Sequence, residues 1–344
     1  MNTNIKILFL TTLRQVEIAY PLLRWRKDLR NAGFDITVAS KWNWSESSMF
    51  DLVIFSNPYF SSLSKKSDGK PKEALAREIK MANSFCNKIA LFDTRDNCYT
   101  NYLDILPKID LLLKKQIFFD KRYYLNQKNA PNFSNESANF ALSNNIDLNK
   151  IQVGWNVAFN DFSKYRKYAK ILHWLGIFYP MKYARPEKYR PYLSSFRGGL
   201  INKRFHRQRA IDNLKELRNK NVKLGKPISK SAYLRELENS RTLVSPFGHG
   251  EVCYRDFEAF ISGSCLIKPN MNHLKTFPDI YKPWETFIPV EWDFSDLHKI
   301  LKDPKHNHTK FSDIASKGQI TYKEYCESST YFIDHFRELI GKII

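Results

Sequence analysis

The first hundred or so residues alternate between two hydrophobic periodicities, and that alternation limits the folds open to the chain. IKILFL (5–10) is a short apolar run with the character of a buried strand, whereas AYPLLRWRKDLRNAG (19–33) places apolar residues at helical spacing and stops on Gly33. FDITVAS (34–40) and FDLVIFSN (50–57) read as strands, EALAREIKMANSFCN (73–87) as a helix and KIALFDTRDN (88–97) as a strand running into a loop. Strands separated by helices are joined by crossovers. This predicts a parallel, doubly wound sheet with ligands at the carboxyl ends of its strands. IDLLLKKQIFF (109–119) extends that sheet, and 126–147, rich in Asn and Ser with Pro131, reads as loop.

The pattern restarts near residue 193. YLSSFRGG predicts a strand and glycine turn, HRQRAIDNLKELRN (206–219) and SKSAYLRELENS (229–240) two helices, and RTLVSPF (241–247) a strand. TFIPVEW (286–292) follows as a strand, DLHKILKD (296–303) as a helix, and 320–340 as one long final helix. The expectation is an α/β protein of two Rossmann-like domains facing a cleft: 1–188, 189–318, and a terminal helix within 319–344 packing back on the first domain.

Composition narrows the class. Lys and Arg exceed Asp and Glu by 55 to 35, a net charge of +20. Between Lys164 and Lys230 there are nineteen Lys or Arg against only three acids, Glu187, Asp212 and Glu216. So localised a charge predicts a phosphate-bearing or anionic partner. Five scattered cysteines fit a reducing compartment rather than a disulfide framework or zinc cluster. Neither a signal peptide nor a run of roughly eighteen apolar residues is evident, so the expected location is cytoplasmic.

The stretch SPFGHGEVCYRDFEAFISGSCLIKP (245–269) reads as strand, glycine loop, helix, tight turn at Gly263, strand. With SRTLV before it, it resembles the donor-binding region of GT-B glycosyltransferases of the exostosin-like and family-1-like kind: a strand, a glycine loop (Gly248, Gly250), Arg255, the pair Glu258-Ala259, Gly263 and CLIKP. The resemblance covers about residues 240–292. It implies transfer of a sugar from a nucleotide-sugar donor to a glycan or lipid-linked acceptor, with capsule, lipopolysaccharide or other surface-glycan assembly as the setting. The nucleotide sugar would be a substrate, no cofactor would be needed, and Arg, Lys and helix dipoles would meet the leaving group's charge without a metal.

On this reading the helix start and Arg255 bind the pyrophosphate, and Glu258 accepts from the ribose hydroxyls. As an alternative, Arg255 and Glu258 form an ordinary i, i+3 surface pair. Retaining relatives carry a second Glu eight residues before the ribose Glu. That place is Gly250 here, with Glu251 one position later, which points to inversion. Arg197 and Gly198 in the FRGG turn, Lys203, Arg204 and Lys226 are further donor-side candidates, His249 a sugar or phosphate contact, and Phe247 a ring on which a base could stack.

An inverting transfer needs a base in the first domain. Glu17, Asp93 and Asp96 follow strands there, and each has a plainer reading as a helix-start or turn residue. In SKYRKYAKILHWLGIFYPMKYARP (163–186), Tyr165, Tyr168, Leu172, Leu175 and Tyr179 fall at helical spacing among Lys164, Lys167 and Lys170. Such a helix suits an anionic membrane surface, while the plainer reading packs its aromatic stripe on the first domain and leaves the lysines solvated. Two other functions compete: a non-catalytic or epimerase-type sugar-nucleotide-binding protein, and a basic nucleic-acid-binding protein. No nucleic-acid-binding motif supports the second.

Overall fold

The computed structural model describes residues 4–12, 16–44, 49–64, 70–125, 131, 146–162, 169–198, 205–303 and 308–344. The first lobe contains β1 (Ile5–Leu10), α1 (Val16–Arg24), α2 (Arg26–Asn31), β2 (Phe34–Ala39), β3 (Phe50–Ser56), α3 (Asn57–Ser64), α4 (Pro71–Ala82) and β4 (Cys86–Asp93). The chain continues through β5 (Leu111–Lys114), β6 (Gln116–Phe118), β7 (Ile151–Val153) and the short α5 (Ala169–Trp174). The second lobe holds β8 (Tyr192–Arg197), α6 (Phe205–Glu216), β9 (Val222–Gly225), α7 (Lys230–Glu238), β10 (Ser240–Val244), α8 (Tyr254–Ser262), β11 (Cys265–Pro269), β12 (Leu274–Thr276), β13 (Ile288–Val290) and α9 (Leu297–Lys302). Two helices close the chain, α10 (His308–Glu327) and α11 (Ser329–Ile340).

Each lobe is built on a parallel sheet, in the order β2-β1-β3-β4-β5-β7 in the first and β13-β11-β10-β8-β9 in the second. Strands β1, β3 and β4 are near-continuous apolar runs because helices cover both faces of the sheet, and Ile7 to Leu10 are completely buried. In the first sheet the order reverses at β1, with β2 on one side and β3 on the other. In the second it reverses at β8, between β9 and β10. The carboxyl ends at these switch points are where an open α/β sheet leaves a crevice.

The lobes are fastened to each other. β6 of the first pairs antiparallel with β12 of the second, Leu274 opposite Phe118 and Thr276 opposite Gln116. The main hydrophobic core runs from β1 through Trp155 to Phe247, Phe257 and Tyr322 without a break. Arg190 is buried in the connection between the lobes and donates to four carbonyls, those of Arg185, Leu237, Ser240 and Ser262, which include the orphaned ends of α7 and α8.

The end of the chain differs from the single helix expected over 320–340. It breaks at Ser328, whose hydroxyl accepts from the Thr330 N–H at 3.3 Å and caps α11. The break sends the two helices to different places. Tyr322 of α10 lies against Phe257 and Phe260 of α8, whereas Phe332 and Phe336 of α11 meet Trp25, Trp155 and Phe34 of the first lobe. The helix expected through 163–186 also ends early. α5 stops at Trp174 with Gly176 in the left-handed region (φ 73°), so Tyr179, beyond that stop, shares no helix face with Leu172. Lys164, Tyr165, Lys167 and Tyr168 lie outside the described residues.

Candidate functional site

A cleft of about 760 Å³ lies between the lobes where both switch points meet. Its first-lobe wall is Glu17, Asn57, Thr94, Arg95, Asp96 and Lys115, and its second-lobe wall is Arg207, Gly248, His249, Gly250, Cys253, Tyr254 and Arg255. Each comes from the loop or the helix start that follows a strand. Glu17 is in the first turn of α1 after β1, Asn57 begins α3 after β3, and residues 94–96 follow β4. The glycine loop joins β10 to α8.

The glycine loop is tight because the first lobe presses on it. A Cβ at Gly250 would lie 1.6 Å from the carbonyl oxygen of Asp96, a backbone atom with no room to retreat. The Gly248 N–H donates to the Gly250 carbonyl at 2.9 Å, closing the loop on itself. The Arg207 guanidinium stands beside Gly248, 3.5 Å from where a Cβ there would be. Arg255 reaches the same side of the cleft. Its Nη2 donates to the Pro246 carbonyl at 2.7 Å, and its buried Nε finds no partner among the described residues. Two guanidinium groups thus flank the glycine loop where an anionic group could bind.

The start of α8 is partly occupied by the protein itself. The Asp256 carboxylate accepts the Cys253 N–H at 3.0 Å in a capping box. Asp256 also accepts from Ser245 at 2.6 Å and Tyr281 at 2.7 Å, and the buried Lys268 lies 3.1 Å away. The expected pyrophosphate contact with the bare helix end is therefore reduced, and Arg207 and Arg255 carry the positive charge on that wall. Gly263, left-handed at φ 67°, ends α8 as the predicted tight turn.

Several candidates point elsewhere. Glu251 is fully buried and reaches into the first lobe, accepting from Cys98 Sγ and Gln116 Nε2, both at 3.1 Å. Burial pushes its carboxyl up, against the opposing effect of those two bonds. Glu258 faces a separate cavity of about 420 Å³ lined by Phe162, Tyr179, Leu234 and Ile261, where it pairs with Lys230. Residues three apart share nearly one helix face, so it is the pairing with Lys230, at the start of α7, that turns Glu258 away from the cleft. Arg197 is held away from the cleft by a two-pronged ion pair with Glu236, Nη2 to Oε2 at 2.6 Å, and by the Leu224 carbonyl. Gly198 and Lys226 are absent from the cleft wall, and Lys226 is exposed. Phe247 is buried among His206, His273 and Trp292 and offers no open face for a base. Lys203 and Arg204 lie outside the described residues.

The three carboxylates proposed as bases differ sharply. Asp93 is buried between Lys114 at 2.9 Å and Arg95 at 2.7 Å. Burial alone would raise its carboxyl, but the two cations override this and hold it far below the usual range, so it is a structural anion. Asp96 is half exposed and faces the cleft, but pairs with Lys115 at 2.5 Å. Glu17 lines the cleft with Tyr254 as its hydrogen-bond donor, Oη to Oε2 at 2.7 Å. Gly248, His249, Gly250, Arg255, Glu17 and Asp96 are thus the expected site residues that the fold brings together.

The sequence reading missed Arg207, Tyr254, Lys115, Arg95, Asn57 and Thr94. Arg207, in the first turn of α6 after the FRGG strand, had a signal: a helix-start position at a switch point. Tyr254 had none, because its partner is 237 residues away.

No protein-family model and no curated protein matches the chain. Among solved structures, it is similar to Anabaena HepE in complex with UDP-glucose, at 12% identity and a TM-score of 0.47 over 98% of this chain and 99% of that one. A glycosyltransferase from Rickettsia africae is alike at 12% identity and 0.47, over 99% of both chains. An α1,3-fucosyltransferase with GDP follows at 14% and 0.43, over 98% of this chain and 91% of that one. Likenesses of this order transfer no residue role or ligand, and the functional reading rests on the cleft itself.

Proposed function

We propose that the chain is a GT-B-type glycosyltransferase that moves a sugar from a nucleotide-sugar donor to a glycan or lipid-linked acceptor, inverting the anomeric centre without a metal. One observation carries this reading. The cleft places two arginines beside a glycine loop on one lobe opposite a glutamate on the other, at the switch points of two parallel sheets. Arg207 and Arg255 would take the diphosphate and its growing charge as the sugar leaves. Glu17 would take the proton of the acceptor hydroxyl, since Asp93 is neutralised by Lys114 and Arg95 and Asp96 is engaged by Lys115.

For a lipid-linked acceptor in surface-glycan assembly, the chain would work at a membrane surface from the cytoplasmic side. Ile171, Leu175 and Ile177 are exposed (69%, 68% and 42%) in a segment, 163–186, that has six Lys or Arg and no acid. Replacing Ile171 and Leu175 by Glu should abolish binding to phosphatidylglycerol vesicles and leave turnover of a water-soluble acceptor unchanged.

The deciding experiment is a thermal-shift series with UDP, GDP, CMP, dTDP and ADP on the parent chain, Arg207→Ala and Arg255→Ala. A ligand at a hundred times its dissociation constant adds about 2.7 kcal/mol, a rise of a few degrees. One nucleotide should stabilise the parent and neither variant. No shift with any nucleotide would remove the transferase reading.

A further inference from the structure

We infer that Tyr254 is the positioning residue for Glu17, so that the base is assembled from both lobes and set by the same helix turn that carries the donor-side Arg255. This rests on the transferase reading above.

Tyr254 is the first residue of α8, on the second lobe, and its hydroxyl crosses the cleft to donate to Glu17 Oε2 at 2.7 Å. The tyrosine is itself held in place. Its ring lies against Phe162 at 5.9 Å, and its oxygen accepts from Asn160 Nδ2 at 3.5 Å. Glu17 is held from behind, because Trp155 Nε1 donates to the carbonyl of the next residue, Ile18, at 2.7 Å. Backbone and carboxylate are therefore both anchored, the first by the first lobe and the second by the opposite one.

A carboxylate has two oxygens and room for several donors. With Oε2 engaged by Tyr254, the carboxylate is held at one oxygen and Oε1 is left for the acceptor hydroxyl. In the transfer, the acceptor oxygen uses its lone pair to bond the anomeric carbon and gives its proton to Glu17. The bond from that carbon to the diphosphate oxygen breaks, and its electron pair leaves on the diphosphate beside Arg207 and Arg255. Tyr254 keeps its own proton throughout. Because Tyr254 and Arg255 are consecutive, the start of α8 sets the distance between the base and the leaving group, and misplacement by about 1 Å can lower a rate roughly a hundredfold.

The test follows nucleoside diphosphate release from UDP-, GDP-, dTDP- and ADP-linked sugars, in the parent chain, Tyr254→Phe, Glu17→Gln and the double variant. Tyr254→Phe should lower kcat roughly 10- to 100-fold, with donor KM, the nucleotide-induced thermal shift and the unliganded Tm unchanged. The double variant should be no slower than Glu17→Gln alone, since the tyrosine acts only through that carboxylate. Parental kcat in Tyr254→Phe with an inactive Glu17→Gln would overturn the positioning role and keep Glu17 as base. Loss of the nucleotide shift in Tyr254→Phe would make the tyrosine a donor contact and overturn it equally. An active Glu17→Gln, or no release by the parent chain from any donor, would overturn the underlying reading as well.

Discussion

Gly250 of the second lobe is packed so closely on the Asp96 carbonyl of the first that a Cβ there would lie 1.6 Å from the carbonyl oxygen. The same two peptides carry cleft residues on either side, so the contact that joins the lobes also sets the width of the site. Gly250→Ala should destabilise the chain by about 1–3 kcal/mol, because backbone, rather than a flexible side chain, must move. Urea unfolding measures this, and an unchanged midpoint would show that the lobes separate freely at this point.

The Asp93–Lys114 pair anchors the floor beneath the cleft, both side chains fully buried. Asp93→Asn leaves the Lys114 ammonium without its buried counter-charge and should destabilise by about 3–5 kcal/mol. Adding Lys114→Met should restore much of that loss. A double variant as unstable as the sum of the two single ones would show that the residues do not act as a pair.

Glu251 predicts a pH effect with a definite sign. Its carboxyl is raised by burial, so between the ordinary glutamate value of about 4.3 and its folded value the native chain holds a proton that the unfolded chain has released. Stability contributed at this site is therefore full below about pH 4.3 and declines as pH rises through the folded value. Glu251→Gln should flatten that decline in unfolding free energy measured from pH 4.5 to 8. An identical slope in parent and variant would mean that the carboxyl is not raised.

His273 predicts the opposite slope. Burial and the nearby Lys268 charge push its imidazole down to about 4, against an ordinary value near 6.5. Below pH 6.5 the unfolded chain takes up a proton that the native chain refuses until about pH 4. Stability therefore falls as pH drops through that window and levels off beneath it. His273→Phe keeps an aromatic ring against Trp292 and should remove this component of acid sensitivity. Equal acid sensitivity in the two proteins would mean that His273 is protonated in the fold.

The local sequence determined the alternation of strands and helices and the main strands, though not where every helix breaks. Buried parallel strands must be apolar on both faces, so IKILFL and FDLVIFS announce β1 and β3 directly, and Gly263 announces the end of α8. The loops beyond those strands were legible as a candidate site for the same reason. The direction of each side chain within the site was not. Arg255 and Glu258 look alike as helix-start residues, yet the packing of α7 on α8 sends one into the cleft and the other to Lys230. Glu251 could be placed in a loop, but only the approach of Cys98 and Gln116 makes it a buried link between lobes. The pairing of Glu17 with Tyr254 joins residues 237 positions apart. Hydrophobic periodicity reports how a residue meets its near neighbours in the chain, whereas burial, charge partners and side-chain aim at the cleft depend on contacts between distant segments, and these the tertiary structure alone decided.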